Sequence, residues 1–302
     1  MACVSRSACR KQGFFRESSS ISRSGFMTAV AISGVVGGPL SGVIMTTMAG
    51  VHGWAGWQWL FLLEGIPSVV MGAVVYLYLD DSIDAATWLT PHEKIVLHER
   101  LRAEDATKVS LSVGETLRSG RVLSFAAVYF TFTMGLYGVG FWLPQIIKDL
   151  GVRDVLDVGL LSAIPYGVGA VAMVLTARRS DHTGERRRHV ALSALVGSIG
   201  LALAGASGHN TVAGMTALSI GTAGVLSTLP LFWTMPTAML AGASAAAGIA
   251  LINSIGNLSG FLAPYVVGAI TDATGSQTYG LYVLAAALLL GAAMTMGLKT
   301  QR

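Results

Sequence analysis

Ala177-Arg178-Arg179-Ser180-Asp181-His182-Thr183-Gly184-Glu185-Arg186-Arg187-Arg188 is followed, from Val190 to Thr271, by a stretch with no Asp, Glu, Lys or Arg. A basic knot beside so long an uncharged stretch marks a chain that leaves water and re-enters a bilayer. The rest of the sequence repeats the pattern. Of the 20 Lys and Arg residues, all but Lys148 and Arg153 fall in four clusters, at 6–23, 94–121, 178–188 and 299–302. Each gap between clusters holds an even number of long apolar runs, so all four clusters lie on one side. Basic loops stay on the cytoplasmic side, which places both termini inside the cell.

A helix needs about 20 mostly apolar residues to cross the hydrocarbon core. Eight runs qualify, at 26–48, 58–79, 123–147, 158–177, 190–207, 212–234, 245–270 and 278–298. Short loops near 205–211 and 239–244 divide the uncharged stretch into three spans. The outward loops carry only Lys148 and Arg153 as bases, against Asp149, Asp154, Asp157 and Asp272. The fold class is therefore an all-α polytopic membrane protein with eight transmembrane helices.

Composition agrees. Charged residues make up 12% of the chain and hydrophobic ones 53%, with mean hydropathy +0.62; a soluble domain carries about a quarter charged residues. No basic stripe is interleaved with aromatics, which argues against nucleic-acid binding. Cys3 and Cys9, the only cysteines, form neither a disulfide framework nor a metal-ligand spacing. Residues 1–25 lack the apolar core of a secretory signal. Paired aspartates, H-E-x-x-H and Ser-His arrangements are missing from the spans, so no catalytic residues, metal or cofactor are expected and the chain is not read as an enzyme.

The longest inward loop runs from Asp80 to Arg121. In it Thr90-Pro91-His92-Glu93 has the form of a capping box with proline at the first helical position. The helix it opens is either amphipathic, lying on the inner membrane surface, or a solvated linker.

Polar and aromatic residues inside spans are the candidates for contact with a transported molecule. Asn253 and Asn257, four apart, share one helix face; they suit either a ligand or interhelical bonding beside Gly256-x-x-x-Gly260. Trp233 sits near an inner span end, where an interface anchor or gate competes with substrate stacking. Phe232-Trp233-Thr234-Met235-Pro236 echoes Phe141-Trp142-Leu143-Pro144, and Trp142 reads as an outer anchor. Tyr137 and Gln145 are weaker candidates, and Tyr166 reads as a packing residue. Glu64 is the sole acid within an apolar run and a candidate for proton coupling, with a structural contact as the competing reading.

The 177–188 stretch resembles the short loop motif of the major facilitator superfamily, G-x-x-x-D-R/K-x-G-R-R/K. Asp181, Gly184, Arg186 and Arg187 match; Ala177 and His182 replace the first glycine and a base, and Glu185 intrudes. In that motif the carboxylate beside a helix end and the tight glycine turn would hold a neighbouring helix, and release would let a bundle rock. Further segments resemble the anion:cation symporter family within it: Phe26-Met27-Thr28-Ala29-Val30, Gly37-Gly38-Pro39-Leu40-Ser41-Gly42, Gly56-Trp57-Gln58-Trp59-Leu60-Phe61-Leu62-Leu63-Glu64-Gly65-Ile66-Pro67, Trp88-Leu89-Thr90-Pro91-His92-Glu93, Phe141-Trp142-Leu143-Pro144-Gln145 and Asn253-Ser254-Ile255-Gly256-Asn257-Leu258.

The resemblance covers about residues 26–298. It implies helices five to twelve of a twelve-helix transporter in a bacterial inner membrane, taking up an organic anion such as an aromatic or sugar acid together with a proton. Residues 26–79 would close the N-terminal bundle, 80–122 link the bundles, and 123–298 form the six-helix C-terminal bundle. Residues 1–25 do not resemble the family, and a wrong start or shifted frame would account for them. The coupling acids and substrate arginines of the family belong mostly to helices one and four, so the chain reads as an incomplete, inactive fragment. It implies Asn253 as a substrate contact, the bilayer as the surroundings and no obligate protein partner. A membrane sensor or interaction protein that keeps the C-terminal bundle is the competing reading.

Overall fold

A computed structural model of the chain describes residues 28–78, 80–106, 113–208, 210–239 and 242–298. The segment 1–25, with Cys3 and Cys9, and the basic cluster at 299–302 lie outside the described residues. The described residues form helices: α1 Thr28–Thr47, α2 Gly56–Tyr78, α3 Pro91–Ala106, α4 Val113–Arg118, α5 Gly120–Asp149, α6 Val155–Thr183, α7 Arg186–Ala206, α8 Thr211–Met239, α9 Gly242–Asn257, α10 Ser259–Thr274 and α11 Thr278–Gly297. Eight helical stretches are long and apolar enough to cross a membrane, α9 and α10 together counting as one, Ala245–Thr274. They coincide with the eight apolar runs of the sequence.

Local chemistry sets several boundaries. Asp154 caps α6, its carboxylate accepting from the Leu156 and Asp157 N–H groups at 2.8 and 3.1 Å, as an N-cap side chain does. Gly184 ends α6 at φ 71°, a left-handed geometry that costs glycine nothing. The Thr90–Glu93 box forms: the Thr90 N–H donates to Glu93 Oε2 at 3.0 Å and the Glu93 N–H to Thr90 Oγ1 at 3.4 Å.

Three features depart from the sequence reading. The 178–188 stretch is mostly helix, because α6 continues to Thr183 and α7 starts at Arg186, leaving only Gly184 and Glu185 between them. The charged segment between α2 and α5 holds a second helix, α4. The run 245–270 lies in one apolar span, Ala245–Thr274, but its hydrogen bonding breaks step at Leu258. The backbone there stays helical at φ −58° and ψ −27°, and the Leu258 N–H reaches the Ile255 carbonyl at 3.3 Å in a tightened turn.

Helices α5 to α11 share one core. Phe232 of α8 stacks on Tyr129 of α5 with ring centroids 5.0 Å apart and meets Phe125 and Phe132 edge-on, each at 6.0 Å. The most extensive contact joins α7 and α8, where Gly197 and Gly200 lie against Gly224 and Gly221 and a Cβ at either Gly200 or Gly224 would strike the facing backbone. Small residues let backbones approach in this way, and membrane helices depend on such packing because lipid is as apolar as their side chains. Ser198 of α7 adds a bond to the Ala285 carbonyl of α11 at 2.7 Å.

The first pair of helices sits differently. α1 meets α6 through Gly38 and Gly42 against Gly159, with Cβ positions 2.5–2.8 Å from facing carbonyl oxygens at Gly159 and Gly38. The ring of Tyr166 fills the space beside Gly34. α2 touches α1 where Gly56 abuts Met45 and where Ser41 donates to Glu64. Apart from Gly56, none of its residues is buried.

Candidate functional site

Tyr129, Thr133 and Tyr137 stand one above another on α5, four residues apart and hence on one face. The break between α9 and α10 lies against them. Gly256 packs on the Tyr129 ring, and a Cβ at Gly260 would stand 3.0 Å from the Tyr137 ring. Between the rings the Thr133 hydroxyl lies 2.8 Å from the Gly256 carbonyl, and the Ser259 hydroxyl donates to Thr133 Oγ1 at 2.8 Å. Above them the Tyr137 hydroxyl donates to Asn257 Oδ1 at 3.1 Å.

Asn253 lies one turn before Asn257. It is half-buried, and its side chain makes no hydrogen bond among the described residues. Trp233 reaches the same neighbourhood from α8, edge-on to Tyr129 with centroids 4.9 Å apart. The structure thus brings Tyr137 and Asn257 into direct contact and links Trp233 to them through Tyr129. The assembled surface offers a free amide, a phenol engaged by a second amide, and two aromatic faces. Such groups orient carboxylate or hydroxyl oxygens by hydrogen bonding and hold planar or apolar parts against the rings.

The other candidates lie apart from this surface. Glu64 accepts from Ser41 Oγ at 2.8 Å, tying α2 to α1. Gln145 donates to Asp149 on its own helix at 3.2 Å. Tyr166 of α6 packs between Gly34 of α1 and Gly140 of α5, its hydroxyl 3.7 Å from the Cβ position of Gly140. The indole N–H of Trp142 is buried with no partner among the described residues, and Gly268 of α10 lies against its ring.

In the basic motif the arginines rather than the carboxylate make the contacts between helices. Arg186 donates to the Thr234 carbonyl of α8 at 3.4 Å and Arg187 to the Leu298 carbonyl at the end of α11 at 2.7 Å. At Leu298, the cap of α11, the guanidinium meets a free carbonyl and opposes the helix dipole, whereas the Thr234 carbonyl lies inside α8. Asp181 is exposed and pairs with no described residue, so the expected carboxylate contact to a neighbouring helix is not formed. Arg188 pairs with Glu185 at 2.7 Å on the surface. Gly184 supplies the turn that lets α7 start beside α8.

Sequence reasoning passed over Tyr129, Thr133 and Ser259. Their signal was the four-residue spacing of a Tyr-Thr-Tyr stripe on one apolar run, together with a serine at the Gly256–Gly260 step.

The model of the Major Facilitator Superfamily matches residues 13–264. Two proteins of Agrobacterium vitis, each described as a putative tartrate transporter, are 45% and 46% identical over 90% and 91% of the chain. Those matches cover 60% and 63% of the relatives, so the chain spans about three fifths of their length. Among solved structures, the fucose:proton symporter of E. coli matches with a TM-score of 0.54, covering 93% of this chain and 87% of that one. At 13% identity that likeness speaks for the fold alone.

Proposed function

The chain belongs to the major facilitator superfamily, and on that footing we propose that it is a secondary transporter of the anion:cation symporter type. Its cargo is an organic anion of the hydroxy-acid class, taken up with a proton. The description of the Agrobacterium vitis relatives as putative tartrate transporters supports the cargo class. The observation that carries the reading is the polar and aromatic surface at the α9–α10 break, with the unpaired Asn253 amide beside Tyr137, Asn257 and Trp233. Polar groups inside a membrane are costly, and an unpaired one suits a ligand that completes it.

The eight spans correspond to helices five to twelve of a twelve-helix architecture. α1 and α2 belong to the first bundle, and α5 to α11 make the second, joined by the inward segment that holds α3 and α4. The basic clusters face the cytoplasm of a bacterial cell. Alternating access rocks two bundles about a site near the midplane; these 302 residues hold one bundle and two helices of the other, so by themselves they bind without completing the cycle. Arg186 and Arg187 lock the inner ends of α7, α8 and α11 together, and Asp181 is left free to engage another partner in a different state. Glu64 carries the proton if coupling lies within these residues.

Binding and uptake test the reading separately. L-tartrate raises the unfolding temperature of the purified chain in detergent, and Asn253→Ala abolishes the rise. Vesicles holding only the 302 residues take up no radiolabelled tartrate. An unchanged shift in Asn253→Ala refutes the site, and uptake by the chain alone refutes the incomplete cycle.

A further inference from the structure

The geometry points to Thr133 and Ser259 as positioning residues, two buried hydroxyls that hold the break between α9 and α10 and thereby aim the Asn253 and Asn257 amides. The inference rests on the reading of those amides as substrate contacts.

Both hydroxyls are shut away from solvent, Thr133 at 1% and Ser259 at 0% exposure. Thr133 Oγ1 has four oxygen neighbours: the carbonyls of Tyr129 at 2.8 Å, Phe130 at 3.2 Å and Gly256 at 2.8 Å, and Ser259 Oγ at 2.8 Å. It has one proton to give and lone pairs to accept with. Ser259 donates to it, which leaves the Thr133 proton to be shared among carbonyls. Tyr129 and Phe130 lie in the interior of α5, where the carbonyls already take N–H donors one turn on. Gly256 lies in the last turn of α9, and the final carbonyls of a helix have no donor within it. The Gly256 carbonyl is therefore the acceptor in need. Inside a bilayer no water stands ready to replace the bond.

The remaining bonds at the break are few. Leu258 N–H reaches back three residues to Ile255, and α10 restarts with the Phe261 and Leu262 N–H groups on the Leu258 carbonyl at 3.2 and 3.1 Å. Pro264 has no N–H to offer the Gly260 carbonyl. The backbone is brought onto α5 by glycines at 256 and 260, which leave the Tyr129 and Tyr137 rings in direct contact with it. Gly256 is followed directly by Asn257, and Thr133 is followed one turn later by Tyr137. The Thr133–Gly256 bond and the Tyr137–Asn257 bond are thus two successive rungs between the same two helices. Losing the lower rung frees the tightened turn at Leu258, whose φ of −58° and ψ of −27° are already helical, to relax into regular helix. That turns Asn257 from the Tyr137 hydroxyl and carries Asn253 with it.

Thr133→Val removes the hydroxyl at nearly constant volume, and Thr133→Ser keeps it. Hydrogen–deuterium exchange of peptides covering 253–262, in the 302-residue chain in nanodiscs, reads the break without any ligand. Thr133→Val speeds exchange there about tenfold, the effect of one buried hydrogen bond. Peptides of α7 and α8 keep the parent rate, and Thr133→Ser restores it at 253–262. Ser259→Ala, a milder change, gives a smaller local increase and decides the matter should Thr133→Val fail to fold. Unchanged exchange, an increase spread equally over α7 and α8, or no restoration by Thr133→Ser overturns the latch. The thermal shift with L-tartrate separates the two readings. Loss of the shift in both Asn253→Ala and Thr133→Val supports the positioning role. Loss in Asn253→Ala alone refutes positioning and leaves the substrate site standing, whereas a shift retained in Asn253→Ala refutes the site itself.

Discussion

α2 and α8 are both strongly apolar, with mean hydropathies of 1.9 and 1.5 over their most apolar windows, yet none of that window is buried in α2 and 72% is in α8. Hydropathy reports the solvent a helix crosses and says nothing of its neighbours. Neighbours are set by where small and polar residues fall. Among the described residues Gly65 and Gly72 of α2 have nothing within 4 Å of their Cβ positions; under the proposed helix assignment their partners would come from other helices of the first bundle. In α8, Gly221 and Gly224 sit three apart on one face and find a matching pair, Gly200 and Gly197, on α7. The match between two spacings makes the interface.

The largest effect comes from enlarging one glycine in each helix. Gly224→Leu drives a side chain into the α7 backbone and destabilises the chain by at least the about 1–3 kcal/mol of an overpacked core. Gly72→Leu changes stability by less than about 0.5 kcal/mol. Unfolding temperatures in detergent check both, and equal shifts would mean that burial does not separate the two helices. Next in size is Gly159→Val, which pushes α1 off α6 at a cost of about 1–3 kcal/mol to that contact. Val35→Cys with Gly167→Cys then cross-links poorly compared with the same pair on a Gly159 background.

A smaller effect tests the ends of the bundle. Arg187→Gln loses a charge-assisted bond to the Leu298 carbonyl and costs about 1 kcal/mol after allowance for its half-exposed setting. Arg188→Gln, which breaks only the surface pair with Glu185, costs about 0–0.5 kcal/mol. Thermal unfolding ranks the two, and the reverse order would show that the contacts between helices at 186–187 carry no stability.

The smallest effect lies outside both regions, at α3. The Thr90 N–H and hydroxyl hold the Glu93 carboxyl below its ordinary range. A carboxylate with a lowered folded pKa contributes stability above its unfolded value and loses it as pH falls through the folded one. Amide exchange at the start of α3 is therefore protected at neutral pH and loses protection as the pH falls below the ordinary glutamate range and through the lowered folded value. Glu93→Gln flattens that dependence, and an unaltered acid profile in Glu93→Gln would assign it to another group.

Much of this was legible in the chain. The eight apolar runs locate the eight spans because a bilayer imposes a length that sequence must meet. Thr90 and Glu93 announce their helix because capping is a contact between near neighbours. The step at Leu258 was invisible to hydropathy, since 245–270 is apolar on both sides of it, and Pro264 lies more than one turn beyond it. Thr133 was hidden for a related reason: a threonine in a span usually bonds its own helix, and only the approach of Gly256 gives it a second partner. In the 178–188 motif the residues were visible, but the partners were not. Arg187 meets Leu298 from the far end of the chain, a pairing that no local pattern encodes.

Gly38, Gly42 and Gly159 bring α1 and α6 together backbone to backbone. Helices whose side chains interlock behave as gears, and sliding one past the other requires every tooth to change rotamer. A glycine-lined contact has no teeth. It carries load at right angles to the helices and offers little friction along them, which is the property of a bearing. α1 is held close to the bundle by shape, and its position along α6 rests on a single tooth, the Tyr166 ring seated beside Gly34.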